Sequence, residues 1–232
     1  MRAALATWAP RAASWLFDSA LWRLPPPART SRVLSLTFDD GPSSAGTWDL
    51  LRVLDRFHVP ATFFVVGRHA QIRPHLVRNI VAAGHCLGNH SWSHADAWRT
   101  SRLRTAIEFS RTRRFLEDLS GDAVPWMRPP YGHLTLPMVQ WCRRHRQRMV
   151  LWDAAPPDYQ PYQTIERLQR HWVAAVRPGS IVLLHDNPQS AELTPRLLKS
   201  LLPDLLRDGW RFEPLPRSAA WRPHEPRRAA AS

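Results

Sequence analysis

The sequence predicts an α/β fold built on a parallel sheet, either open or closed into a barrel. Three observations lead there. Short apolar, β-branched runs alternate along the chain with stretches of helical periodicity, the order that yields parallel strands joined by crossover helices. Polar and titratable residues cluster immediately after the strand runs, where folds of this kind carry their chemistry. The length of 232 residues, with 44% hydrophobic and 22% charged, suffices for a sizeable core in one large domain or two small ones.

Residues 1–30 stand apart. Trp8, Trp15 and Trp22 recur every seven residues, with Leu5, Ala12 and Leu16 near them on one helical face. Such a helix either packs its tryptophans on the main domain or makes weak contact with a membrane surface, helped by Arg2, Arg11 and Arg23. Pro25-Pro26-Pro27 ends it as a stiff connector. Pro10, Arg11 and Asp18 interrupt any apolar run of signal-peptide or membrane-span length, so the expected location is cytoplasmic or peripheral to a membrane.

The main domain is expected over residues 31–214. Its strands are read at 33–38, 61–66, 85–88, 126–128, 149–152, 180–185 and 210–213. Its helices are read at 48–57, 74–83, 100–119, 136–145, 164–176 and 194–207. Leu50, Leu51, Leu54 and Phe57 give the first helix its apolar face. Gly84 stops the second, Ser120-Gly121 closes the third, and Thr164 with Arg167 opens the fifth. Residues 215–232, rich in Pro, Arg and Ala without periodicity, read as a basic disordered tail.

The formal net charge is +13, almost all from arginine, since Lys199 is the only lysine. Such a field favours anionic surroundings, though an arginine-biased composition produces it equally well. No basic run is interleaved with stacking aromatics, which argues against a nucleic-acid partner. Cys86 and Cys142 make neither a metal pattern nor a disulfide framework.

Two candidate groups carry chemistry. Asp39 and Asp40 end the first strand run before Gly41-Pro42. Neighbours on a strand face opposite sides, so the two acids are expected to do different jobs, one holding a cation and the other taking protons. His90 and His94 are four apart, a spacing that puts both imidazoles on one side of a helical turn. With Asp40 they offer two nitrogens and one oxygen and leave an open position for water, a catalytic rather than a structural arrangement. One divalent ion is expected: zinc is the natural occupant, and the set also suits cobalt, nickel or manganese.

Four blocks, in this order, carry a family likeness. Thr37-Phe38-Asp39-Asp40-Gly41-Pro42, His90-Ser91-Trp92-Ser93-His94, Arg128-Pro129-Pro130-Tyr131-Gly132 and Leu183-Leu184-His185-Asp186 resemble the polysaccharide deacetylases of carbohydrate esterase family 4. The resemblance spans about residues 33–214 and implies a distorted (β/α) barrel with fewer than eight strands, in keeping with the seven strand runs. Where the family usually has Asp-Trp, this chain has Asp158-Tyr159.

The resemblance also implies roles. Asp40, His90 and His94 would bind the metal, whose water would be acidified toward neutral pH. Asp39 would be the general base, paired with Arg128, which keeps it ionised and aimed. The backbone N–H of Tyr131 would help stabilise the oxyanion. His185 would protonate the leaving amine, oriented by Asp158, with Asp153 as a second candidate for that partner. Leu183 and Trp152 would line a small pocket for the acetyl methyl. The implied activity is removal of N-acetyl groups from an amino-sugar polymer or glycolipid, such as peptidoglycan, a chitin-like oligomer or poly-N-acetylglucosamine. The rivals are an O-acetyl esterase, a deformylase of a lipid-linked amino sugar, and an inactive carbohydrate-binding relative. The sequence leaves the oligomeric state open.

Overall fold

The computed structural model describes residues 20–25, 28 and 30–216. Its strands are β1 (Ala20–Leu21), β2 (Val33–Asp39), β3 (Thr62–Val65), β4 (Cys86–Asn89), β5 (Trp126–Met127), β6 (Arg148–Val150), β7 (Ile181–His185) and β8 (Arg211–Phe212). The helices are α1 (Thr47–Arg56), α2 (Gly67–Ile72), α3 (Pro74–Ala82), α4 (Arg102–Ser120), α5 (Leu136–Arg144), α6 (Ile165–Ala175) and α7 (Leu193–Arg207). Seven strands follow one another in the order β1-β6-β5-β4-β3-β2-β7, every pair parallel, and β8 pairs with the start of β2. The sheet curls until bridges from Arg23 to Ser180 and from Ala154 to Val182 span its two ends. The expected distorted α/β barrel of parallel strands is what forms.

The pleat of β2 explains how a strand this buried can also carry polar groups. Leu34, Leu36 and Phe38 point outward into the largest core cluster, shared with Leu50 and Leu54 of α1 and Leu197 and Leu198 of α7. The alternate residues Ser35, Thr37 and Asp39 are equally buried but face the barrel interior. Burying Leu34, Leu36 and Phe38 under helices stabilises the sheet by roughly 1.5–3 kcal/mol per side chain before entropy is counted. The helix ends follow their signals: Thr164 Oγ1 accepts the N–H of Arg167, and Gly121 takes the left-handed conformation at φ 74°. The short helix α2 carries no apolar stripe in GRHAQI and escaped the periodicity reading.

The structure departs from the sequence reading at both ends of the chain. Trp22 does not lie on a helix. It directly follows β1, is 7% exposed, and packs with Met138, Trp141, Met149 and Leu151. The edge of β6 presents unpaired backbone groups, and pairing Ala20 with Met149 and Leu21 with Val150 satisfies them. Arg23, expected to help a membrane contact, is tied by an ion pair of 3.0 Å to Asp153. Trp8, Trp15 and the rest of the proposed helix lie outside the described residues. At the other end, Leu215 is fully buried and donates its N–H to Thr62 Oγ1, so the first tail residue belongs to the core. Residues 217–232 lie outside the described residues. No helix among the described residues is long and apolar enough to cross a membrane.

Candidate metal centre and active site

Four strand ends meet at one mouth of the barrel. Asp39 closes β2 and is the register partner of His185, which closes β7. Asn89 ends β4 and leads into His90, and Arg128 directly follows β5. The two adjacent acids do not point to opposite sides, as a continued strand would require. Asp40 takes φ 76°, turning the chain so that both carboxylates flank one imidazole. His90 Nε2 lies 3.6 Å from Asp39 Oδ2 and 3.4 Å from Asp40 Oδ1. The turn also needs Gly41, because a Cβ there would sit 2.3 Å from Asp186 Oδ2.

His90 and His94 converge as their spacing suggested, but by another route. The segment between them is irregular rather than helical, with φ 62° at Ser91 and φ 58° at His94. His94 Nε2 lies 3.0 Å from Asp40 Oδ1, and the three donor atoms of Asp40, His90 and His94 are all within 4.8 Å of one another. His90 donates its Nδ1–H to the Arg128 carbonyl at 2.8 Å, which fixes the ring with Nε2 toward Asp40. One carboxylate and two imidazoles in this orientation fit a divalent ion with a position left open. Burial raises the Asp40 pKa, but hydrogen bonds and charge from His90 and His94 outweigh it and hold the carboxyl well below its usual range.

Arg128 is fully buried, and each guanidinium nitrogen is engaged. NH1 donates to Asp39 Oδ1 at 2.7 Å and to Thr37 Oγ1 at 2.8 Å, NH2 to the Leu151 carbonyl at 3.0 Å, and Nε to the Val150 carbonyl at 3.4 Å. The ring of Phe64 lies beneath it at 4.1 Å. A buried cation held this way offsets its desolvation only while Asp39 is there to pair with it. At the end of β7, His185 Nδ1 lies 2.8 Å from Asp158 Oδ1. Asp158 Oδ2 accepts both the His185 N–H and the Thr194 hydroxyl, at 2.8 and 2.6 Å. Burial pulls the His185 pKa down, but the hydrogen bond and charge of Asp158 bring it above the ordinary histidine value.

The remaining predicted residues divide. Tyr131 sits at the mouth with φ 60°, its ring edge-on to His94 at 4.7 Å. Leu183 is the register partner of Thr37 and is 5% exposed, so it faces the interior beneath the site. Trp152 flanks Arg128 at 5.5 Å and leaves Gly132 no more than 3.0 Å for a Cβ. Asp153 is not beside His185: it binds Arg23, the Ser180 hydroxyl and the Ile181 N–H, so Asp158 is the histidine's partner. Tyr159, standing where the family usually has tryptophan, meets the His185 ring edge-on at 4.6 Å.

Two contacts escaped the sequence reading. Asn187 donates to Asp40 Oδ2 at 2.9 Å, leaving Oδ1 to the imidazoles, and His69 donates to the Asp40 carbonyl at 2.7 Å. Asn187 follows His185-Asp186 directly, and that adjacency was the available signal. His69 lies on α2, which periodicity did not reveal.

The chain is similar to known proteins over most of its length. A family model described as polysaccharide deacetylase matches residues 27–150. A chitooligosaccharide deacetylase of Bradyrhizobium sp. is 36% identical over 198 residues, covering 80% of this chain and 90% of that protein. A peptidoglycan-N-acetylglucosamine deacetylase of Bacillus cereus is 30% identical over 193 residues, covering 82% and 88%. Among solved structures, the Bc1960 peptidoglycan N-acetylglucosamine deacetylase superposes with a TM-score of 0.82 at 27% identity, covering 90% of this chain and 96% of that one. A family 4 acetyl xylan esterase from Clostridium thermocellum, solved with a cobalt ion, has a TM-score of 0.71 at 30% identity, covering 79% and 88%. On its motifs, its fold and these matches, the chain belongs to the polysaccharide deacetylase family.

Proposed function

We propose that the protein is a metal-dependent hydrolase that removes N-acetyl groups from an amino-sugar polymer or glycolipid. One observation carries the reading: the Asp40, His90 and His94 donors share a mouth with the buried Asp39–Arg128 pair, and His185, held by Asp158, is the register partner of Asp39. A divalent ion, zinc in the first instance, supplies Lewis-acid polarisation of the acetamide carbonyl and acidifies a water. Asp39 takes the proton of the attacking water while Arg128 holds its other oxygen. The Tyr131 N–H stabilises the developing oxyanion. His185 gives a proton to the departing amine, and Asp158 keeps its Nδ1 occupied so that Nε2 faces the substrate. Leu183 and Trp152 close a small apolar space around the acetyl methyl.

Peptidoglycan and chitin-like oligomers are the leading substrates, supported by the deacetylases that resemble this chain. A second reading, O-acetyl ester hydrolysis, is favoured by the likeness to an acetyl xylan esterase, because the same base, acid and ion serve either bond. Acetate release from a panel of N-acetylated and O-acetylated glycans, with elemental analysis of the same protein, decides between them. Release from N-acetylated glycans together with about one divalent ion per chain is the expected result. Release from esters alone favours the second reading. Full activity in protein shown to be metal-free overturns both.

A further inference from the structure

We propose that Trp98 and His133 form a stacking platform for a sugar ring flanking the one that reacts, making this chain a reader of oligomers; the inference rests on the glycan reading above. Trp98 is among the most exposed large side chains, at 66%, yet it is firmly held. Its indole N–H donates to the Leu134 carbonyl at 3.0 Å. One face is covered by the His133 ring, stacked at 3.6 Å with an interplanar angle of 2°. Asp96 braces both partners: its Oδ1 accepts the Trp98 backbone N–H at 2.9 Å and lies 2.7 Å from His133 Nδ1. The other face of the indole is left to solvent.

A solitary exposed tryptophan needs no explanation, but one fixed by three other residues with one face bare does. Its ordering cost is already met in the folded protein, so a ligand laid on that face loses little further freedom. The platform also has a position. Trp98 lies on the loop that follows His94, and His133 and Leu134 lie on the loop that follows Tyr131. Ring contacts run from the centre outward, His94 to Tyr131 at 4.7 Å and Tyr131 to His133 at 5.6 Å, before Trp98 is reached. The C–H face of a pyranose is the flat, weakly polar surface an aromatic ring accepts, and Asp96 stands at the platform's edge as a hydrogen-bond acceptor for a hydroxyl. None of Asp96, Trp98 and His133 belongs to the proposed catalytic set.

The test is chain-length dependence in the zinc-loaded protein. Trp98→Ala is expected to lower kcat/KM on tetra-N-acetylchitotetraose roughly tenfold, mainly through KM, the worth of about one good aromatic contact. On N-acetylglucosamine itself and on an aryl acetate the change should stay within about twofold. Trp98→Phe, which keeps a ring, should recover most of the loss. In an Asp39→Asn background, which blocks turnover, calorimetric titration with the tetramer should show weakening by a similar factor when Trp98 is also replaced. Equal losses on the aryl ester and the tetramer, or no loss at all, overturn the platform. If the native protein releases no acetate from the tetramer but binds it in a Trp98-dependent way, the platform stands and the deacetylase reading falls. Tetramer binding that is absent or indifferent to Trp98 overturns the platform whatever the activity.

Discussion

In the proposed reaction His185 gives up a proton, and its neighbours govern how firmly it holds one. Asp158, fully buried and already accepting hydrogen bonds from the His185 N–H and the Thr194 hydroxyl, raises the imidazole's pKa against the pull of burial. A raised pKa keeps the imidazolium populated above the ordinary value near 6.5 and loses it as pH climbs through the raised one. Asp158→Asn removes the charge and leaves the burial, so the basic limb of kcat should move to lower pH. A limb that stays in place would show that another group sets it. His185→Ala should slow amide cleavage by about 10²–10⁴, the usual worth of a general acid. It should slow an aryl acetate less, because that leaving group departs without a proton. Equal factors on the two substrates would remove His185 from the acid's role.

At the scale of elements, the turn from β2 to α1 is tied to the end of β7 by one buried carboxyl. Asp186 accepts hydrogen bonds from Thr47 Oγ1 at 2.6 Å and Ser43 Oγ at 3.1 Å, and it presses against Gly41. Burial pushes its pKa from 3.8 up to about 7. The folded state therefore holds this proton more tightly than the unfolded chain. The stability that Asp186 contributes is full below about pH 3.8 and is lost as pH rises through about 7. Asp186→Asn keeps an oxygen for one of the two hydroxyls, offers an amide N–H to the oxygen of the other, and cannot ionise. Urea unfolding of metal-free protein should then show native stability falling relative to the variant between pH 4 and 7, approximately the window between those two values. Parallel pH curves for the two proteins would show that Asp186 does not titrate there.

In the proposed reading the whole molecule links fold to ion through the donors that β2 and the β4 loop bring together. A site present only in the folded chain couples binding to stability, worth about 4 kcal/mol when free ion exceeds Kd a thousandfold. Chelation should therefore lower Tm and added zinc should restore it, with His90→Ala abolishing the difference. Scanning calorimetry checks this, and a Tm indifferent to zinc in the native protein would mean the three donors hold no ion. Net charge adds a second coupling: at +13 the protein favours anionic surroundings, so glycan binding should be read at more than one salt concentration.

The sequence by itself determined the alternation of strands and helices from β2 to β8 except for α2, the caps at Thr164 and Gly121, and the strand-end residues of the mouth, because these are written in local periodicity and turn chemistry. Asp39, Asp40, His90, His94, Arg128 and His185 were legible as a set because each follows a recognisable apolar run. What the tertiary structure decided concerns direction and partners. A left-handed Asp40 aims both carboxylates at His90, which strand alternation argues against. Trp22 has the spacing of a helical stripe but lies beside a strand added to the edge of β6, since unpaired backbone groups recruit a strand with little regard to side-chain period. Asp158 rather than Asp153 reaches His185, Asn187 reaches back 147 positions to Asp40, and Trp98 stacks on His133 across two loops. Periodicity reports which residues are buried, whereas the identity of a distant partner is set only when the chain closes on itself.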